Sequence, residues 1–215
     1  MKRWTLACPL LLIFVTVTAA AESWNFEDAK TGDLPLGWIA TKNGEGPGSV
    51  WKIVSADRDS NRNFALAQTS SEGPDALFNL CIVRGVKQTD VDLTVELKAI
   101  TGNNDRGGGP VWRYQDANNY YITRWNPLED NFRVYHVVNG KRTMLAHIAV
   151  MLPQDQWHTI RALHRGNHIQ CYLDGKLLLD VMDDTIKDAG AIGLWTKSDA
   201  VTWFDNLQLE LPANK

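Results

Sequence analysis

This chain of 215 residues has few cysteines, no excess of basic residues and no long apolar run after the first twenty residues. These absences limit the classes of protein to which it can belong. Its three cysteines include no C-x-x-C pair, and its five histidines lack H-x-H or H-E-x-x-H spacing, so the sequence offers no zinc ligand set. A G-x-S-x-G nucleophile elbow and a glycine-rich phosphate loop before a helix are also missing. With 22 basic against 25 acidic side chains, nucleic acid and anionic lipid are not expected partners.

The first residues have the layout of a secretory signal peptide. Met1–Arg3 is a short basic start, Leu10–Val17 is an apolar run, and Ala19-x-Ala21 is a cleavage site with small residues. The apolar run is too short to span a bilayer. We therefore expect residues 1–21 to be removed and the mature chain to be exported, periplasmic or extracellular, without membrane insertion.

Strand signals recur along the mature chain, and helix signals are confined to about one turn near Asp183–Lys187. Val91–Lys98 alternates apolar and polar residues, which is typical of a strand with one buried and one solvent-facing side. Asn139-Gly140 and Asp174-Gly175 indicate tight hairpins, because both central residues need positive φ. About a dozen short strands with polar turns predict one all-β domain, residues 22–215, folded as a two-sheet antiparallel jelly-roll sandwich.

The mature chain keeps two cysteines, Cys81 and Cys171, each within an apolar strand-like segment. Export permits a disulfide between them. Buried free thiols are an equally natural reading of these segments. The sequence leaves both alternatives open.

Three segments carry a resemblance to a known family: residues 107–126, GGGPVWRYQDANNYYITRWN, residues 128–142, LEDNFRVYHVVNGKR, and residues 189–209, AGAIGLWTKSDAVTWFDNLQL. Their order resembles exported domains of the concanavalin A-like lectin/glucanase superfamily. Within it, the chain is similar to the 3-keto-disaccharide hydrolase domain family, a former domain of unknown function described as family-16-glycosidase-like. The resemblance implies a concanavalin-like jelly roll with a carbohydrate partner.

One departure from the superfamily's enzymes excludes a retaining glucanase of the family-16 type. Those enzymes carry acids in an E-x-D-x-E pattern on one face of a strand, so that nucleophile and general acid flank one glycosidic bond. Here Glu96, Glu129 and Glu210 are each isolated along the sequence.

Polar and aromatic side chains share one parity on several predicted strands. A carbohydrate groove combines planar polar groups with aromatic faces, and in jelly rolls of this kind it is expected on the concave sheet. The predicted ligand-binding residues are Arg113, Tyr120, Arg124, Arg133, Tyr135, Trp195 and Lys197. The alternative is a solvated sheet face whose arginines pair with Asp116, Glu129 or Asp199.

Two loop carboxylates are the candidates for catalysis. Glu129 is the first choice for an acid–base group, because neighbouring arginines can lower its pKa, and Asp116 is the second. The alternative is that both are turn residues that satisfy their own backbone.

Calcium is the metal that the sequence favours. Related sandwiches clamp their first and last strands with calcium, and Glu27, Asp28 and Asp205 would supply the oxygens here. The alternative is that Asp205 caps an edge or turn. No other cofactor is expected.

Three functions follow from these observations, in decreasing order of support. The first is an exported domain that recognises a glycan on its concave sheet. The second is a glycoside hydrolase of the 3-keto-disaccharide type. The third is a non-catalytic interaction domain of the cell envelope.

Overall fold

The computed structural model describes residues 21–59 and 62–210. The predicted signal peptide lies outside these residues, apart from Ala21. Within the described part, no helix has the length and apolar character that crossing a membrane requires.

Fifteen strands make up the regular structure of the described residues. Their bounds are β1 Ala21–Trp24, β2 Trp38–Asn43, β3 Trp51–Asp59, β4 Arg62–Gln68, β5 Phe78–Val83, β6 Val91–Thr101, β7 Gly109–Asp116, β8 Asn119–Asn126, β9 Asn131–Val138, β10 Lys141–Ala149, β11 His158–Arg165, β12 His168–Leu173, β13 Lys176–Met182, β14 Ala191–Lys197 and β15 Val201–Glu210. The helical turn predicted near Asp183–Lys187 does not form. Asp183 Oδ1 instead accepts a hydrogen bond from the backbone N–H of Thr185 at 3.0 Å, which closes a side-chain turn that competes with helix.

The strands form two antiparallel sheets, as the alternating pattern predicts. The first has the order β13-β12-β11-β6-β15-β4-β3, with β1 paired to β15 beside this path. The second has the order β10-β9-β8-β7-β14-β5-β2. Non-consecutive neighbours such as β6-β15 and β7-β14 show that the chain crosses repeatedly between sheets, which confirms the all-β sandwich.

The main core lies between the sheets. Tyr121 and Trp125 on β8 point into it. From the other sheet, β15 contributes Phe204, Leu207 and Leu209, and all five side chains are fully buried. Because side chains alternate along a strand, Ile122 and Arg124 point to the opposite side of the second sheet. We call that side the outer face; it carries a separate apolar cluster around Trp195.

The two cysteines are buried free thiols. Cys81 lies on β5 of the second sheet and Cys171 on β12 of the first, and both belong to the main core. Burial raises the pKa of the Cys81 thiol, and it raises that of Cys171 to about 12. The thiol alternative is therefore the one that the structure shows.

Candidate functional site

Four aromatic side chains form a continuous floor on the outer face: Phe78, Tyr120, Tyr135 and Trp195. We call them the aromatic floor. The rings of Phe78 and Trp195 lie 5.4 Å apart on the neighbouring strands β5 and β14. Burial raises the pKa of the Tyr120 hydroxyl, and the indole N–H of Trp195 and the charge of Arg142 offset this only in part. The four rings are at most 7% exposed, so they form a buried layer of ring surface with polar atoms at its edge. Ring surface and polar atoms together are the composition that sugar C–H faces and hydroxyls require.

Arg142 of β10 lies over this floor. Its guanidinium carbon is 4.5 Å from the ring centre of Tyr135, 5.1 Å from that of Phe78 and 5.6 Å from that of Trp195. Burial lowers the pKa of Arg142, and the nearby charge of Arg124 lowers it further. The cation is held by ring quadrupoles in a partly desolvated position.

Arg124 of β8 is the most deeply buried cation of the outer face, with 1% of its surface exposed. Its Nη2 donates to Glu129 Oε2 at 3.0 Å. Its Nε and Nη1 have no hydrogen-bond partner within the described part of the chain. Buried donors without partners are costly, so this arginine presents N–H groups that a ligand oxygen would satisfy.

Glu129 is presented by the turn between β8 and β9. Asn126 Oδ1 shapes this turn by accepting the N–H groups of Leu128 and Glu129 at 2.8 and 3.2 Å. Burial opposes ionisation of Glu129, but hydrogen bonds from Asn131 and Arg124 and the charge of Arg133, 3.1 Å away, outweigh it and lower its pKa to about 2. Glu129 is therefore an anion at neutral pH, as the sequence predicts.

A second carboxylate, Asp105, approaches Arg124 from the loop between β6 and β7. It is 1% exposed, accepts a hydrogen bond from Asn126 Nδ2 at 3.0 Å, and lies 3.1 Å from Lys197 Nζ. Burial raises the pKa of Asp105, although the charges of Arg124 and Lys197 act in the opposite direction. Two carboxylates with oppositely shifted pKa values thus flank Arg124.

Asp199 fixes the loop that carries Asp105. Its carboxylate accepts the backbone N–H groups of Asn103, Asn104 and Asp105 at 2.7 to 3.1 Å. A side chain at Gly102 would place Cβ 1.9 Å from the Asp105 carbonyl oxygen, so this tight loop requires glycine. Asp199 serves the backbone here and does not pair with the arginines.

Six of the seven predicted ligand-binding residues share the outer face, and Arg113 does not. Its φ of +46° sits at an irregularity of β7 between Trp112 and Asp116, which turns the side chain inward. There it is 1% exposed and donates to three backbone carbonyls, those of Thr89, Gly166 and Ile186, at 2.6 to 2.7 Å. Arg113 therefore ties loops together behind the sheet.

The two candidate catalytic carboxylates do not meet. Asp116 lies in the β7–β8 turn and Glu129 in the β8–β9 turn, at opposite ends of the eight-residue strand β8. At about 3.3 Å per residue this strand separates them by roughly 25 Å, against the 5–10 Å of a glycosidase pair. Asp116 Oδ1 accepts from the Asn118 N–H at 2.7 Å, as the turn-residue alternative predicts.

The predicted calcium ligands are Glu27, Asp28 and Asp205. Among the described residues, no group of three or more histidine, cysteine, aspartate or glutamate side chains is placed to hold a metal ion. Asp205 Oδ1 instead accepts the backbone N–H of Asn206 at 2.6 Å, where Asn206 adopts a φ of +49° at a bulge in β15. The capping alternative accounts for this contact of Asp205, and a calcium site at Glu27, Asp28 and Asp205 stays a prediction.

Three residues of this site are not predicted from the sequence: Phe78, Arg142 and Asp105. Phe78 alternates with Leu80 and Ile82 on a strand that is buried on both sides, so no polarity marks its outer side. Arg142 comes shortly after the predicted hairpin at Asn139-Gly140, and Asp105 lies in a polar segment between two strands. Only the opposite charges of Asp105 and Lys197 indicate that they could pair across 92 positions of sequence.

Beside the aromatic floor, the outer face continues into a cleft of about 370 Å³. Tyr114 lines this cleft and stacks on Tyr120 of the floor with ring centres 6.1 Å apart. Arg84 and Lys87 line the cleft as well. An extended ligand on the floor would therefore meet aromatic and cationic groups beyond it.

Solved structures with the same fold include the carbohydrate-binding module CBM66 of Bacillus subtilis, which is 18% identical with a TM-score of 0.65 over 81% of this chain and 96% of that one. The cellulose-induced protein Cip1 is 14% identical, with a TM-score of 0.59 over 87% of this chain and 96% of that one. The GH43 protein BlXynB of Bacillus licheniformis is 16% identical, with a TM-score of 0.60 over 88% of this chain but only 39% of that one. At these identities the likeness establishes the jelly-roll fold alone.

No curated protein is detectably similar to the chain in sequence. A family model does match, and it covers residues 37–210, from the start of β2 to the end of β15. The match includes every residue of the aromatic floor, together with Asp105, Arg124, Glu129, Arg142 and Lys197. The chain belongs to the family of 3-keto-alpha-glucoside-1,2-lyase-like domains.

Proposed function

We propose that the chain is an exported domain that binds carbohydrate on the outer face of its second sheet, the face that the sequence analysis expects to be concave. The observation that carries the proposal is Arg124, a buried arginine with two unpartnered nitrogens beside an aromatic floor. Sugar hydroxyls supply the missing acceptors, and sugar C–H faces pack on rings. Export is inferred from the signal-peptide pattern of residues 1–21.

The other exposed sheet face provides a comparison within the same molecule. On the first sheet, Arg161 lies over Tyr172 at 5.1 Å, but both its Nε and its Nη2 are bound to Asp92 at 2.5 and 2.6 Å. That arginine–aromatic pair is internally satisfied. The contrast with Arg124 supports the second sheet as the binding face.

Tyr135→Ala tests the proposal, with Tyr172→Ala as the matched control on the other sheet. We expect Tyr135→Ala to weaken binding of a glycan, identified on a glycan array, by at least about 1 kcal/mol, or fivefold in Kd, because a ring of the floor is lost. Tyr172→Ala should leave Kd unchanged. Calorimetric titration of folded variants measures both, and equal affinities for all three proteins would refute the assignment.

A second candidate function is glycoside cleavage, and one observation favours it. Asp105 and Glu129 both act on Arg124, and their surroundings push their pKa values apart. Such divergence is typical of acid–base pairs, in which Asp105 would hold and donate a proton while Glu129 stays ionised. For a 3-keto-α-glucoside, a base would remove the proton next to the ketone while an acid protonates the departing glycosidic oxygen.

Glu129→Gln and Asp105→Asn test the cleavage candidate on a 3-keto-α-glucoside such as 3-keto-trehalose. Each should lower kcat by at least about 100-fold, the usual contribution of an acid–base group. Asp116→Asn is the control and should retain full activity, because its carboxylate lies at the other end of β8. Wild-type protein that releases no product would leave carbohydrate binding as the function.

A further inference from the structure

The cations of the outer face outnumber the carboxylates that pair with them. Glu129 pairs with Arg124 and Arg133, and Lys197 pairs with both Asp105 and Asp75. Arg142, by contrast, forms no ion pair with any carboxylate of the described residues, and its Nη1 has no hydrogen-bond partner among them. Arg142 is therefore a partly buried positive charge without an ion-pair partner in the described part of the chain.

The surroundings of Arg142 do not replace an anion. Three aromatic rings lie within 4.5 to 5.6 Å of its guanidinium, and each such contact recovers only about 0.5–2 kcal/mol. Burial and the neighbouring cation Arg124 lower the pKa of Arg142, whereas the charge of Asp105, a carboxylate already paired with Lys197, acts in the opposite direction. Two guanidinium groups with unpartnered nitrogens thus share one low-dielectric region, which favours an anionic group close to both.

We propose that the outer face recognises an acidic sugar, and that Arg142 and Arg124 bind its carboxylate. This deepens the proposed carbohydrate-binding function and rests on it. A uronic acid fits the surplus of positive charge on the outer face, because it brings one negative charge together with a pyranose ring for the aromatic floor. A sulfated sugar would bring the same charge in a tetrahedral group, and it serves as a comparison in the test.

Matched glycans that differ only in the carboxylate test the proposal. β-1,4-linked glucuronic acid oligosaccharides correspond to cello-oligosaccharides, and α-1,4-linked galacturonic acid oligosaccharides correspond to their carboxyl-reduced forms. By calorimetric titration of the purified protein, at least one acidic member should bind at least tenfold more tightly than its neutral counterpart. This preference should shrink as salt rises, since ion pairing is screened.

Arg142 variants connect the preference to the site. Arg142→Gln should reduce the acid-over-neutral preference to less than twofold, and Arg142→Lys should restore part of it because the charge returns. Lys141→Gln, at the exposed neighbouring position on β10, should leave the preference unchanged. Thermal denaturation checks that each variant is folded.

The outcomes separate this inference from the function on which it rests. Neutral and acidic glycans that bind equally, with binding still lost in Tyr135→Ala, would overturn the acidic-sugar proposal and keep carbohydrate binding. A preference that survives Arg142→Gln, or a stronger preference for sulfated oligosaccharides, would also overturn it. Failure of every glycan to bind would refute the proposed function itself.

Discussion

Replacing Lys197 with methionine is expected to lower the free energy of unfolding by about 3 kcal/mol at pH 7. Lys197 is 7% exposed, and its Nζ lies 3.1 Å from an oxygen of Asp105, which is 1% exposed. Methionine fills similar space but removes the charge. Asp105 then keeps the hydrogen bonds from Asn126 Nδ2 and from the backbone N–H of Arg106, together with the more distant charge of Arg124. A buried carboxylate that loses its ion-pair partner is strongly destabilising.

The loss of unfolding free energy in Lys197→Met should depend on pH in a defined direction. Burial already raises the pKa of Asp105, and loss of the lysine raises it further. A group whose pKa is higher in the folded state destabilises the fold above that pKa and ceases to do so as pH falls through it. The difference between Lys197→Met and the wild type should therefore narrow between pH 7 and pH 4.

A double variant and a control complete this experiment. Lys197→Met with Asp105→Asn should be more stable than Lys197→Met alone, because no buried charge remains. Lys176→Met, at an exposed position of β13, should change stability by less than about 0.5 kcal/mol. Urea denaturation at several pH values gives these numbers, and a pH-independent loss would remove Asp105 as the cause.

Trp112→Ala is expected to destabilise the protein by about 4 kcal/mol, in the range for removing a buried tryptophan. Trp112 is fully buried between the sheets, and its ring stacks on Tyr121 with centres 5.8 Å apart. Its Nε1–H also donates to Nδ1 of the buried His164 at 2.9 Å. Burial, reinforced by the charge of Arg113, lowers the pKa of His164 to about 4, so the neutral ring can accept this bond.

Trp112→Phe separates packing from the hydrogen bond. Phenylalanine keeps an aromatic ring against Tyr121 but leaves His164 Nδ1 without its donor, at an expected cost of about 1–3 kcal/mol. Trp203→Ala, at a partly exposed position of β15, should cost less than either Trp112 variant. Denaturant titrations rank the variants, and Trp203→Ala costing more than Trp112→Ala would contradict the assignment of the core.

Counting every second residue along a strand correctly predicts which side chains lie on the outer face, wherever the strand is regular. Tyr120 and Arg124 on β8, and Arg133 and Tyr135 on β9, lie in an uninterrupted register, so counting by two places their side chains on one side. Arg113 is misplaced because a local irregularity breaks that count. A bulge depends on tertiary contacts, here the carbonyls that receive the arginine, and leaves no pattern in a single sequence.

Long-range pairing explains the other differences from the sequence reading. The segment Trp38–Asn43 lacks clear alternation, yet it becomes strand β2 because it extends the sheet edge beside β5. Asp105 and Lys197 meet because β7 and β14 are neighbours, an arrangement set by the crossover topology. Composition and turn signals predict the fold class, but they do not determine which strands become neighbours.

The pairing of β1 with β15 has a further consequence. Ala21 lies directly opposite Glu210, so the two ends of the described domain are adjacent strand partners. Joining them would need only a short linker and would close a small loop, which costs little conformational entropy. A circular permutant opened at an exposed hairpin turn should therefore retain all strand pairs, and the same adjacency would let the domain be inserted into a surface loop of a host protein.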